Sequence, residues 1–190
     1  MITIVSGLPR SGTSLMMQIL EKAGMEILTD NLRKADESNQ KGYYEYEKVK
    51  SLMKDQSWVG EAEGKVLKVV SGLLTFLPDT FDYKIFFMMR DMDEILSSQS
   101  KMLDRMGISK KVDPKILKMT FEKQVRDVKK LLSEKNNIEF LDVSYRDLVM
   151  QSDNEISKIN DFLGNTLDSE KMSAVIDKNL YREKVGRIKS

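Results

Sequence analysis

A chain of 190 residues with a net charge of +1 has the length for one central sheet covered by helices, and no charge excess to drive binding to nucleic acid or a membrane. It holds no cysteine and no histidine, which excludes disulfides, thiolate metal sites and the commonest general base. No apolar stretch approaches the length of a secretion signal or a membrane span.

The β-branched run Ile2 to Val5 predicts a buried strand, followed by a Gly/Pro loop. A helix comes next, with Leu15, Met16, Ile19, Leu20 and Ala23 on one face, ending at Gly24. Strand, glycine loop and helix in that order aim backbone N–H groups and a positive helix end at a phosphate. The frame Gly7-x4-Gly12-Thr13-Ser14 fits a phosphate-binding loop except at Thr13, where a nucleotide triphosphatase carries lysine. That lysine normally reaches the β- and γ-phosphates, so its loss argues against ATP or GTP hydrolysis. A basic side chain stands earlier instead, at Arg10.

A second strand is expected over Met25 to Leu28, then a polar stretch from Asn31 to Gly42, longer than most connections and so of functional interest. Glu45 to Lys54 predicts a helix, Lys65 to Val70 a third strand and Gly72 to Leu77 a short helix before Pro78. The nearly continuous apolar run Tyr83 to Met89 predicts a strand buried on both faces, delivering Arg90 at its end. Asp91-x-x-Glu94 has capping-box spacing for the next helix, which Gly107 ends. Asp113-Pro114 opens a helix to about Ser133, and Ile138 to Val143 is a fifth strand. Helices over Arg146 to Val149, Asn154 to Leu163 and Ser169 to Ile176 follow, then a basic tail from Lys178. The thirteen methionines fall mostly at apolar helical positions and are expected as core filler. This alternation predicts an α/β, three-layer fold: a mostly five-stranded parallel sheet flanked by helices, in one domain over residues 1–190. Ligands of such sheets bind beyond the carboxyl ends of the strands, a rule that gathers Gly7 to Ser14, Asp30, Lys68 to Ser71 and Arg90 on one rim.

Pro9-Arg10-Ser11-Gly12-Thr13-Ser14 resembles the cofactor loop of sulfotransferases, a P-loop-type fold family that binds 3′-phosphoadenosine 5′-phosphosulfate (PAPS). Two further stretches carry the resemblance. Arg90 and Ser98, eight residues apart, match the family's pair for the 3′-phosphate, and Asn137 to Leu148 with Phe162-Leu163-Gly164 is similar to its strand, turn and helix around an adenine-side tyrosine, here Tyr145. The ordinary alternatives are an ion pair of Arg90 with Asp93 or Glu94, Ser98 as a small surface residue, and Tyr145 as a cap on the core. By the resemblance, Ser11, Gly12, Thr13 and Ser14 hold the 5′-phosphate, Arg10 faces the leaving oxygen and Arg182 in the basic tail closes over the cofactor. No metal is expected, and 3′,5′-bisphosphoadenosine is the product.

The chain departs from the family in two places. Cytosolic members that act on small molecules end the third strand in Lys-Thr-His. The run here resembles Lys68-Val69-Val70, which keeps the lysine for the sulfonate and loses the base. A base must then be a carboxylate, as in other branches, with Asp30, Asp36, Glu37 and Glu45 as candidates. The segment also resembles an Asn-Pro-x-Gly-Tyr-(Tyr/Phe)-Glu element of bacterial relatives, with Gln40 replacing the proline. The implied activity is sulfonate transfer to a hydroxyl or amine of a small molecule, carbohydrate or peptide, in the cytoplasm, with neither nucleic acid nor membrane as partner. Two rivals differ in kind: a nucleotide-dependent kinase or NTPase, and a non-catalytic adenosine-phosphate-binding protein.

Overall fold

A computed structural model describes residues 1–30, 32, 42–108 and 112–177. Its centre is β1 (Ile2–Gly7), buried along its whole length. β3 (Val66–Val70) and β4 (Tyr83–Met89) pair with β1 on either side, β2 (Ile27–Leu28) lies outside β3, and β5 (Ile138–Ser144) lies outside β4. All four pairings are parallel, giving the order β2-β3-β1-β4-β5. The five carboxyl ends therefore meet at one rim, as the sequence predicts.

Strand periodicity of two divides the core between the faces. Ile2, Ile4, Leu67, Val69, Tyr83, Ile85 and Phe87 face one side, where they meet Val128 and Leu132 of α3 (Pro114–Ser133). Val5, Val66, Phe86, Met88 and Val143 face the other, against α1 (Thr13–Lys22), α4 (Tyr145–Met150), α5 (Ser152–Phe162) and α6 (Ser169–Ser173). α2 (Met92–Arg105) pairs with α3 near the rim, where Ile95 and Phe121 cover Leu8. Among the described residues, no helix is long and apolar enough to cross a membrane.

Four expectations are corrected. β2 starts at Ile27 rather than Met25, because the N–H of Met25 is bonded to the carbonyl of Leu20 in the C-cap of α1. The segment Glu45 to Lys54 is not α-helical; it forms a 3₁₀ turn over Glu47–Ser51, and Val49 and Leu52 bury together at the three-residue spacing of that turn. Ser71–Phe76 is likewise a 3₁₀ turn. The methionines divide: Met16, Met17, Met88 and Met172 are core, while Met53, Met106, Met119 and Met150 are exposed.

Candidate functional site

The loop between β1 and α1 keeps its shape by backbone sterics. A Cβ on Gly7 would stand 2.5 Å from Ser11 Oγ and 2.9 Å from the carbonyl oxygen of Met88, so the turn closes only on glycine. Arg10 takes the left-handed conformation at φ +72°, a strained backbone state for a side-chain-bearing residue. Gly12, the N-cap of α1, is also left-handed, and the ring of Tyr145 fills the place its Cβ would occupy. The N–H groups of Gly12 and Thr13 bond to no other described residue. Ser11 is fully buried, and its Oγ has no hydrogen-bond partner among the described residues. Donors left open at a helix N-terminus, around a buried hydroxyl, suit a phosphate or sulfonate oxygen.

Lys68 alternates with Val66 along β3, which turns its side chain to the α1 face of the sheet. There its Nζ donates to the carbonyl of Tyr43 at 2.7 Å and to Ser14 Oγ at 3.4 Å. The lysine thus ties the phosphate loop to the segment that leads into Glu45. That segment is laced to the end of β2: Thr29 Oγ1 donates to the Glu45 carbonyl at 2.8 Å, and the Asp30 carboxylate accepts from the N–H groups of Leu32 and Glu47. These two amides hold the Asp30 carboxyl below its usual range, which makes it a weaker base. Tyr44 donates its hydroxyl to Glu21, and burial followed by that carboxylate pushes its phenol up. Val70, the position that the resemblance pairs with a histidine, is exposed at the rim.

Arg90 follows Met88 by two positions, so it also falls on the α1 face. Its Nε donates to Glu94 Oε2 at 2.9 Å and its Nη1 to the carbonyl of Arg10 at 3.1 Å. The guanidinium lies 4.5 Å from the centre of the Tyr145 ring, whose phenol is raised chiefly by burial. Arg10 in turn donates from Nε to Ser98 Oγ at 3.0 Å. The structure therefore brings Arg10, Gly12, Arg90, Ser98 and Tyr145 into one cluster, with Ser14 and Lys68 alongside the same loop. Asp30 and Glu45 lie together on the neighbouring stretch of the rim. Asp36, Glu37 and Arg182 lie outside the described residues.

Two features were not legible as site elements, and a third, the pairing of Arg90 with Glu94, was read only as an alternative. The spacing Asp91-x-x-Glu94 suggests a capping box, yet only Asp91 caps the helix, accepting from the N–H groups of Asp93 and Glu94. Glu94 turns to Arg90 instead, an i,i+4 pairing that sequence spacing does offer. The Tyr43 carbonyl as partner of Lys68, and Gly12 as the seat of the Tyr145 ring, join residues too far apart in the chain for any local pattern to announce.

The sulfotransferase domain family profile matches residues 2–185. Among solved structures, the sulfotransferase domain from the curacin biosynthetic pathway superposes with a TM-score of 0.49 at 14% identity, covering 86% of this chain and 73% of that one. A sugar kinase from Janibacter sp. superposes with a TM-score of 0.44 at 10% identity, covering 92% of this chain and 97% of that one. For an uncharacterized protein from Eubacterium ventriosum the values are 0.38 and 16%, with 84% of this chain and 99% of that one covered. No curated protein sequence matches the chain significantly.

Proposed function

The chain belongs to the sulfotransferase domain family, and from that premise we propose that it moves a sulfonate from PAPS to a hydroxyl or amine of an acceptor. One observation carries this reading. Lys68 from β3 and Arg90 from the end of β4 reach the loop that itself carries Arg10, and the open amides and buried Ser11 hydroxyl of that loop suit an anion.

When bound, the donor supplies a sulfonate on a phosphate leaving group, so that a bond forms from the acceptor atom to sulfur as the bridging sulfur–oxygen bond breaks. The chain's own part is to hold charge in place. Ser11, Gly12, Thr13 and Ser14 would hold the 5′-phosphate at the N-terminus of α1. Lys68 and Arg10 would stabilise negative charge as it shifts toward that phosphate. Arg90 and Ser98 would hold the 3′-phosphate, with Tyr145 as the platform under the arginine. For the acceptor's proton we favour Glu45 over Asp30, because the Asp30 carboxylate is already engaged by two amides and held in its charged form. Glu37 and the closing tail with Arg182 stay in the proposal on the resemblance alone.

The test is transfer of labelled sulfonate from the donor to pooled hydroxyl and amine acceptors, run with and without a chelator. Transfer that is unchanged by the chelator and falls by about a hundredfold or more in Lys68→Met supports the reading. A strict magnesium requirement with a nucleoside triphosphate would favour phosphoryl transfer. Tight nucleotide binding without transfer to any acceptor would favour the non-catalytic binder.

A further inference from the structure

Glu94 is 4% exposed and its partner Arg90 9%, so the pair is removed from water. A buried ion pair is weak evidence of stabilisation, because desolvation offsets much of the attraction. Nor does α2 need the Glu94 carboxylate as a cap, since Asp91 already accepts from the first amides of that helix. What the carboxylate does is fix a plane. Glu94 engages Arg90 on its Nε edge, the Arg10 carbonyl engages Nη1, and the Tyr145 ring carries the flat face.

We propose that Glu94 is a positioning residue that makes Arg90 a selector for a second phosphate, so that the site prefers an adenosine 3′,5′-bisphosphate over a 5′-monophosphate. This rests on the PAPS reading above. Glu94 offsets the charge of Arg90, so an anion gains little from the arginine's field alone and gains most where its oxygens meet the fixed fork. Arg10 and Lys68 supply the general attraction at the 5′ side, and Arg90 with Ser98 supplies the discrimination.

Competition binding of 3′,5′-bisphosphoadenosine and AMP to the unmutated protein and to Glu94→Gln, Glu94→Ala and Glu94→Asp tests this. The unmutated protein is expected to prefer the bisphosphate by at least about a hundredfold. Glu94→Gln keeps an oxygen for Nε and removes a negative charge; it should keep the ratio within about threefold and bind both nucleotides more tightly. Glu94→Ala should lose at least about tenfold of the ratio with AMP affinity no weaker, which also shows that the site is folded. Glu94→Asp, one methylene too short to reach Nε, should follow the alanine variant and stands in for it if that variant does not fold. A merely structural role would lower both affinities together and leave the ratio unmoved. A ratio retained in Glu94→Ala or Glu94→Asp, or lost as fully in Glu94→Gln, overturns the positioning role and leaves the PAPS reading standing. Equal affinities in the unmutated protein overturn the reading and this inference with it.

Discussion

A methyl group on Gly12 would stand 2.3 Å from Cδ2 of Tyr145, in a backbone conformation of φ +104° that side chains already resist. The two penalties, a clash of about 1–3 kcal/mol and a left-handed backbone of about 1–2 kcal/mol, predict that Gly12→Ala loses about 2–5 kcal/mol of stability. Gly24 has φ +99° with nothing within 4 Å of its would-be Cβ, so Gly24→Ala should show the backbone part alone. Urea denaturation of both variants separates the terms, and equal losses would mean that the Tyr145 ring moves aside at no cost. Gly12→Ala should also weaken bisphosphate binding more than tenfold, because displacing the ring displaces the face that carries Arg90. At this scale the site was half legible. Arg10, Gly12, Arg90 and Ser98 stand out in the sequence because a loop motif and a fixed spacing mark them. The place of Tyr145 against Gly12 and Arg90 is set by contacts between distant elements, whereas Glu94 is a near neighbour of Arg90, and spacing alone left Arg90 equally suited to a ligand or an ion pair.

Between single residues and the sheet lies the lacing of the Tyr43 to Glu47 segment onto the end of β2. Asp30 accepts from Leu32 and Glu47, and these bonds hold its folded carboxyl below its ordinary value of 3.8. A depressed folded value means stability that is complete above the ordinary value and is lost as pH falls through the folded one. The stability gap between the unmutated protein and Asp30→Asn should therefore be constant well above the ordinary value of 3.8 and close as pH falls below it. Urea midpoints at three pH values measure it. A gap that persists in acid would show that the side chain acts through packing and not through its charge. The same variant speaks to chemistry: with Glu45 as base, Asp30→Asn keeps transfer within about threefold, while Glu45→Gln lowers it by about two to four orders of magnitude. The elements that sequence reading misjudged are short ones, here and at Ser71–Phe76. Short segments such as Glu47–Ser51 lack the length for a 3.6-residue repeat to separate from a 3₁₀ one, and the C-cap of α1 shortens β2 through a backbone bond that no side chain reports.

Across the molecule, period-two alternation explains why the cations meet. Lys68 continues the face of Val66, and Arg90 continues that of Phe86 and Met88, so both emerge on the α1 side where the phosphate loop starts its helix. That β1 and β4 are buried strands was legible from their apolar runs, whereas the strand order, with β1 beside β4 and β2 outermost, depends on pairing that composition does not encode. The site therefore draws on the β1–α1 loop, β3, the β4–α2 junction and Tyr145 after β5, which spread over most of the chain. A ligand that binds only when these are assembled must stabilise the assembly by mass action. At a free concentration one hundred times its Kd the gain is about 2.7 kcal/mol, which for a chain of this size raises Tm by roughly 5–11 °C. Calorimetry with 3′,5′-bisphosphoadenosine should show one transition moving as a whole, with AMP at the same concentration moving it less. If the transition splits and only part of it shifts, the chain unfolds as two units and the proposal of one cooperative domain over its length is wrong. If nothing shifts while binding is seen by competition, the ligand binds the unfolded chain as well as the folded one, and the assembled site is not what holds it.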